Sequence, residues 1–192
     1  MAPDIPKGYC AYAPGDPLHA PYHNLEYGFP VAEDHVLFER LVLEINQAGL
    51  SWGLMLKKRA AFNAAFAGFD ISTVARYGAR DKTRLMKDAG IIRNRLKVQA
   101  AIENAKRIVA IQQAEGSFAK WLAARHPLRK EDWVKLFKKT FVFTGGEIVG
   151  EFLMSAGYLP GAHTPECPVG RKLLRHRPKP AWLKSAPEGG WA

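Results

Sequence analysis

Four residues of metal-binding type lie near the two ends of the chain: Cys10, His23, His163 and Cys167. Three residues separate His163 from Cys167, a usual half-site spacing for zinc, and Cys10 and His23 would supply the other half. Four sulfur and nitrogen ligands close a tetrahedron and leave no position for a reacting water. Such a zinc would be structural, one per chain, tying the N-terminal segment to the C-terminal one. Spacing alone equally allows four unrelated loop residues.

A second candidate is Glu44. On a helical wheel it falls beside Leu37, Leu41 and Ala48, at the edge of an apolar stripe. A carboxylate there is partly desolvated, and its pKa rises unless a donor meets it. Position leaves two readings open: a pocket carboxylate that bonds a ligand, or a structural one paired with an arginine or capping backbone. Flat side chains that could stack on a ring are dense in the same part of the chain: Tyr9, Tyr12, Tyr22, Tyr27 and Trp52. Any one of them could equally be core.

The last candidate is a turn. Asp88-Ala89-Gly90-Ile91-Ile92 breaks two helical patterns, and Arg93, Arg95 and Lys97 follow it. A tight turn before a helix presents backbone N–H groups and partial positive charge, which suits a phosphate. It also describes an ordinary helix–turn–helix corner with a solvated basic face.

These residues need helices to position them. Leu37, Leu41, Ile45 and Ala48 recur at spacings of three and four, and Gly49 ends that helix. A second helix follows Ser51 with Met55, Phe62 and Phe66 on one face, and Asp70 can cap a short third through Val74. Arg80 to Lys87 reads as a short helix before the turn. A longer one follows it, carrying Val98, Ile102, Ala105 and Val109. More helices are expected at 117–125, 131–139 and 144–157. Residues 1–30, rich in Pro, Gly, Tyr and His, read as an irregular arm. No strand alternation or repeat is evident, so the fold class is all-α, an irregular helical bundle.

The chain has 192 residues, 47% of them apolar, which suffices for one core. Residues 1–170 are expected to form a single domain. The segment 171–192 carries Arg171, Lys172, Arg175, Arg177, Lys179 and Lys184 against Glu188, with three prolines, and is expected to be an extended basic tail. A net charge of +10 points to a polyanionic partner, nucleic acid first. No apolar run approaches the ~20 residues needed to span a bilayer. The start, Met1-Ala2-Pro3-Asp4, shows no basic segment leading into an apolar one, so no secretory signal is expected.

Several segments together resemble the 3-methyladenine DNA glycosylase I family of helix-hairpin-helix enzymes. They are Asp16-Pro17-Leu18, Tyr22 to Gly28, Leu43-Glu44, Gln47 to Trp52, Leu56 to Arg59, Asp88 to Arg93, and the His163/Cys167 pair. The resemblance implies a monofunctional base-excision enzyme that releases alkylated adenine from duplex DNA, acting as a cytoplasmic monomer. It implies that Glu44 recognises the base and that Tyr22 and Trp52 line the pocket. Tyr12, His19 and Asn46 are expected at the same pocket, where the chain departs from the family pattern. It further implies DNA binding by Gly90, Ile91, Ile92, Arg93 and Arg95, and zinc held by Cys10, His23, His163 and Cys167.

Overall fold

The computed structural model describes residues 8–191; the start of the chain, read above for a secretory signal, lies outside them. Among the described residues the structure is helical, without strands. Two short helices, α1 (Tyr9–Tyr12) and α2 (Ala20–Leu25), precede α3 (Asp34–Gln47). The expected irregular arm is therefore partly helical. These helices are too short to show an apolar stripe. Proline near the first turn starts α2, and Cys10, Tyr22 and His23 bury its neighbourhood.

Helix α3 is the centre of the molecule. Every residue from Leu37 to Asn46 is buried, as expected of a helix surrounded by other helices. It packs against α4 (Trp52–Ala65), α7 (Arg95–Glu115), α8 (Phe118–Arg125) and α10 (Gly146–Ser155). Ser51 caps α4 by accepting from the Leu54 N–H, and Asp70 caps α5 (Ile71–Ala75) by accepting from Thr73. The remaining helices are α6 (Ala79–Lys87), α9 (Lys130–Thr140) and α11 (Pro168–Arg175). One continuous core runs through Phe38, Phe62, Phe66, Phe69, Phe118, Trp133, Phe137 and Phe152. No described helix is long and apolar enough to cross a membrane.

The turn between α6 and α7 is built from both sides. Asn94 caps α7 by accepting from Leu96 and Lys97. The Gly90 N–H donates to Asp88 Oδ1 at 2.7 Å, and Lys58 Nζ donates to the Ala89 and Gly90 carbonyls at 2.8 and 3.1 Å. Gly90 is required by close approach, because a Cβ there would meet the Ala61 Cβ at 2.8 Å.

The C-terminal segment corrects a second expectation. It is not an extended tail: α11 runs through Arg175, Leu173 and Pro180 are buried, and Ala181 and Trp191 pack on the main core. The Trp182 N–H donates to the Gly157 carbonyl at 3.3 Å, and His126 Nε2 lies 3.0 Å from the Ala181 carbonyl. Its few apolar side chains are spaced to reach the body, and charge count alone hides that.

Candidate active site and metal centre

The four Cys/His residues come together. Their ligand atoms all lie within 4.8 Å of one another. Sγ of Cys10 and Sγ of Cys167 are each 3.7 Å from His163 Nδ1, and Cys167 Sγ is 3.7 Å from His23 Nε2. Tetrahedral bonds of ~2.3 Å to sulfur and ~2.0 Å to nitrogen would place such atoms about 3.6 Å apart, so the cradle fits a zinc-sized ion. The outer ring nitrogens are also committed. His163 Nε2 lies 2.8 Å from the Tyr27 carbonyl, and His23 Nδ1 lies 2.7 Å from Asn24 Oδ1. Each contact puts the ring proton on the outer nitrogen and turns the inner lone pair toward the centre. This group can bind a metal ion, and it joins α1, α2 and the loop before α11.

Beside this cluster is a cavity of about 580 Å³ lined by Tyr9, Tyr22, Tyr27, Glu44, Trp52, Glu147 and Glu151, with Gln47, Ala48, Gly49 and Ile148. Helix α3 brings Glu44, α4 brings Trp52, α2 and the turn after it bring Tyr22 and Tyr27, and α10 brings the two further acids. The aromatic rings are fixed against one another. Tyr22 and Trp52 have centroids 4.9 Å apart, and Tyr22 and Tyr27 are 5.6 Å apart. The turn that carries Tyr27 depends on Gly28 at φ +83°, whose absent side chain admits the Ala162 Cβ.

Three polar groups that line this cavity have no hydrogen-bond partner among the described residues, one of them the Trp52 indole N–H. The Tyr22 hydroxyl is buried without a hydrogen bond. The Glu44 side chain is buried, and its pKa is pushed up to about 8, first by desolvation and then by the negative charge of Glu151; Arg40 opposes the rise. The Arg40 guanidinium does not reach out to Glu44. It donates to the Ser155 and Glu26 carbonyls. Chemically, the site offers flat aromatic surface and an acid that lacks its counter-charge.

Of the residues expected here, Glu44, Tyr22 and Trp52 do line the cavity, while Tyr12, His19 and Asn46 do not. Tyr12 is 53% exposed and meets Tyr9 and His19 edge-on. His19 is buried and lies 3.2 Å from the Tyr9 hydroxyl through Nδ1. Both back Tyr9, which itself faces the cavity. The Asn46 amide is turned into its own helix, donating to the Val42 carbonyl at 2.8 Å. In the turn, Ile91 is buried and Gly90 and Ile92 are half-buried, while Arg93 and Arg95 are exposed. Sequence reading missed Glu147 and Glu151, although two acids four apart on the otherwise apolar α10 are an available signal.

The class the fold and site define is a helical body with an aromatic, acid-lined cavity, which can take a flat ring and favours positive charge on it. The family model for methyladenine glycosylase matches residues 12–135. The DNA-3-methyladenine glycosylase of Haemophilus influenzae is 32% identical over 178 residues, which cover 83% of this chain and 96% of that protein. DNA-3-methyladenine glycosylase 1 of Escherichia coli is 45% identical over 104 residues, 54% of this chain and 56% of that protein. Among solved structures, 3-methyladenine DNA glycosylase I from Staphylococcus aureus superposes with a TM-score of 0.76 at 33% identity, covering 83% of this chain and 95% of that one. A 3-methyladenine DNA glycosylase I in complex with 3-methyladenine matches with the same score at 32% identity, over 85% and 97% of the two chains. The chain belongs to the methyladenine glycosylase family, the 3-methyladenine DNA glycosylase I type of enzyme.

Proposed function

We propose that this protein excises alkylated adenine, 3-methyladenine first, from duplex DNA by hydrolysing the N-glycosidic bond. The observation that carries the reading is Glu44: a buried acid without a partner among the described residues, facing a cavity walled by Tyr22 and Trp52. Arg93 and Arg95, both exposed beside the α6–α7 turn, serve as phosphate contacts of a helix-hairpin-helix element, with Gly90, Ile91 and Ile92 shaping the turn. The damaged nucleotide is swung out of the duplex, which costs a few kcal/mol, least where pairing is already weakened.

Inside the cavity the rings of Tyr22 and Trp52 stack on the purine at about 1–3 kcal/mol per base. The empty cavity favours a proton on Glu44. An entering cationic adenine supplies the missing counter-charge, so the proton leaves as the base arrives and the carboxylate accepts from the adenine N–H edge. N3-alkylation makes the base a good leaving group, since it departs neutral. The protein then has only to hold the base and admit water to the sugar C1′. Among the described residues no lysine lines the cavity, in keeping with hydrolysis without a Schiff base.

Cys10, His23, His163 and Cys167 hold one structural zinc that docks the chain ends against this wall. The enzyme works as a cytoplasmic monomer on alkylated duplex DNA. The test is release of labelled bases from methylated DNA by the wild type and by Glu44→Gln. Loss of release in a folded, zinc-loaded variant supports the reading, and unchanged turnover refutes it.

A further inference from the structure

The cavity holds a second acid besides Glu44. Glu147, at its mouth, is highly exposed and pairs with Lys130 at 3.3 Å. Glu151 differs. It is half-buried, has no ion-pair partner among the described residues, and accepts a hydrogen bond at 3.0 Å from the neutral Tyr27 hydroxyl, which aims the carboxylate without neutralising it. Tyr27, Glu44 and Glu151 line the same space. The Tyr22 hydroxyl, buried and without a partner among the described residues, belongs to a side chain that lines it as well.

We propose that Glu151 is a second base-recognising carboxylate, which together with Glu44 makes the cavity selective for a purine that carries positive charge. This rests on the reading of the cavity as the base site. A neutral ring entering the cavity leaves both acids as they were. A cationic ring relieves both at once, so charge selection is built on two residues from two helices, α3 and α10. Tyr27 is then a positioning residue, holding Glu151 toward the cavity.

The other groups around the pair are fixed. Tyr9 lines the cavity from α1, Tyr22 from α2 and Tyr27 from the turn after α2. Arg40, on α3, has its guanidinium bonded to the Ser155 and Glu26 carbonyls, and Glu147 lies at the mouth against Lys130. Glu151 is thus the acid whose removal changes the charge felt by Glu44 without breaking an ion pair.

The experiment measures kcat/KM for 3-methyladenine release across pH 5.5–9.5 for zinc-loaded wild type, Glu151→Gln and Glu151→Asp. With Glu151→Gln the repulsion on Glu44 is gone, and the acid limb moves down by about one pH unit; above the limb, kcat/KM falls by about tenfold. Glu151→Asp keeps the charge one methylene further back and restores most of both. A wild-type profile retained by folded Glu151→Gln overturns the proposal and leaves Glu44 in place. A wild type that releases no base at any pH removes the glycosylase reading itself, and this proposal with it.

Discussion

Glu44→Gln should make the protein more stable above neutrality while removing its activity, and the amount can be worked from the structure. In the folded chain the Glu44 carboxyl titrates near 8 instead of near 4.5. Between those values the folded state holds a proton that the unfolded chain has released. Stability therefore falls as pH rises through this window and levels off above it. At about 1.4 kcal/mol per pH unit, the full change comes to about 5 kcal/mol. Glutamine is neutral throughout and removes this slope. Burying its amide carries its own cost, about 1–3 kcal/mol if a group goes unpaired, but that cost is the same at every pH. The quantity to measure is thus the difference between variant and wild type at pH 9, less the same difference at pH 5. For a domain of this size ~1 kcal/mol moves Tm by about 2–4 °C, so a differential shift of roughly 10–20 °C is expected by calorimetry at saturating zinc. Metal-ligand titration is common to both proteins and cancels. Parallel pH profiles for the two would refute the argument, because Glu44 would then have a counter-charge in the folded state.

Elemental analysis of the purified protein should find about one zinc per chain; on chelation, hydrogen exchange should accelerate in α1, α2 and α11 while α3 keeps its protection. A chain free of metal with undisturbed exchange at those ends would refute the tie. Lys97→Met should destabilise the fold by about 1–3 kcal/mol, since Lys97 Nζ donates to the Asn46 and Ala48 carbonyls at 2.8 and 2.7 Å. Those carbonyls end α3 at the rim of the cavity, so base release should fall with stability, and a variant as stable as wild type counts against the contact. Replacing Arg93 and Arg95 together with Ala should lower the slope of log K against log salt for duplex binding by about two; an unchanged slope would place the phosphates elsewhere.

How much of this was readable beforehand follows from length and periodicity. Helix α3 showed itself through Leu37, Leu41 and Ile45, and the caps at Ser51 and Asp70 were legible because their chemistry is local. The turn at Asp88–Ile92 was visible for the same reason. Helices α1 and α2 were not, because four and six residues cannot display a 3.6-residue period. The C-terminal segment was misread because its charges outnumber its anchors, although Leu173, Pro180 and Trp191 are what fix it. In the pocket, Glu44 could be singled out from its place on the wheel. Asn46 could not be excluded by sequence, since only the rotamer shows its amide bonded back to Val42. Glu151 was missed because its role depends on α10 packing against α3, a contact between segments about a hundred residues apart.

A comparison within α3 separates scaffold from site more sharply than burial does. Glu39 and Glu44 are both buried, at 9% and 3% exposure. Glu39 receives Arg59 Nε at 2.8 Å, and the same guanidinium forks onto Glu26 at 2.7 and 2.8 Å. That network ties α3 to α4 and to the end of α2, and its charges are matched by geometry suited to a buried pair. Glu44 lies little more than one turn further along and receives nothing of the kind. Arg40, the cation nearest along the helix, donates Nη1 and Nη2 to the carbonyls of Ser155 and Glu26 and forms no ion pair with Glu44. A chain that pairs one buried glutamate fully and leaves the next without a partner holds the second in a high-energy state. That state persists in a functional protein when something outside the chain completes it. The partner must be flat enough to lie against Tyr22 and Trp52 in the cavity, must donate hydrogen bonds and must carry positive charge. An adenine alkylated at N3 meets all three conditions, whereas an undamaged adenine lacks the charge.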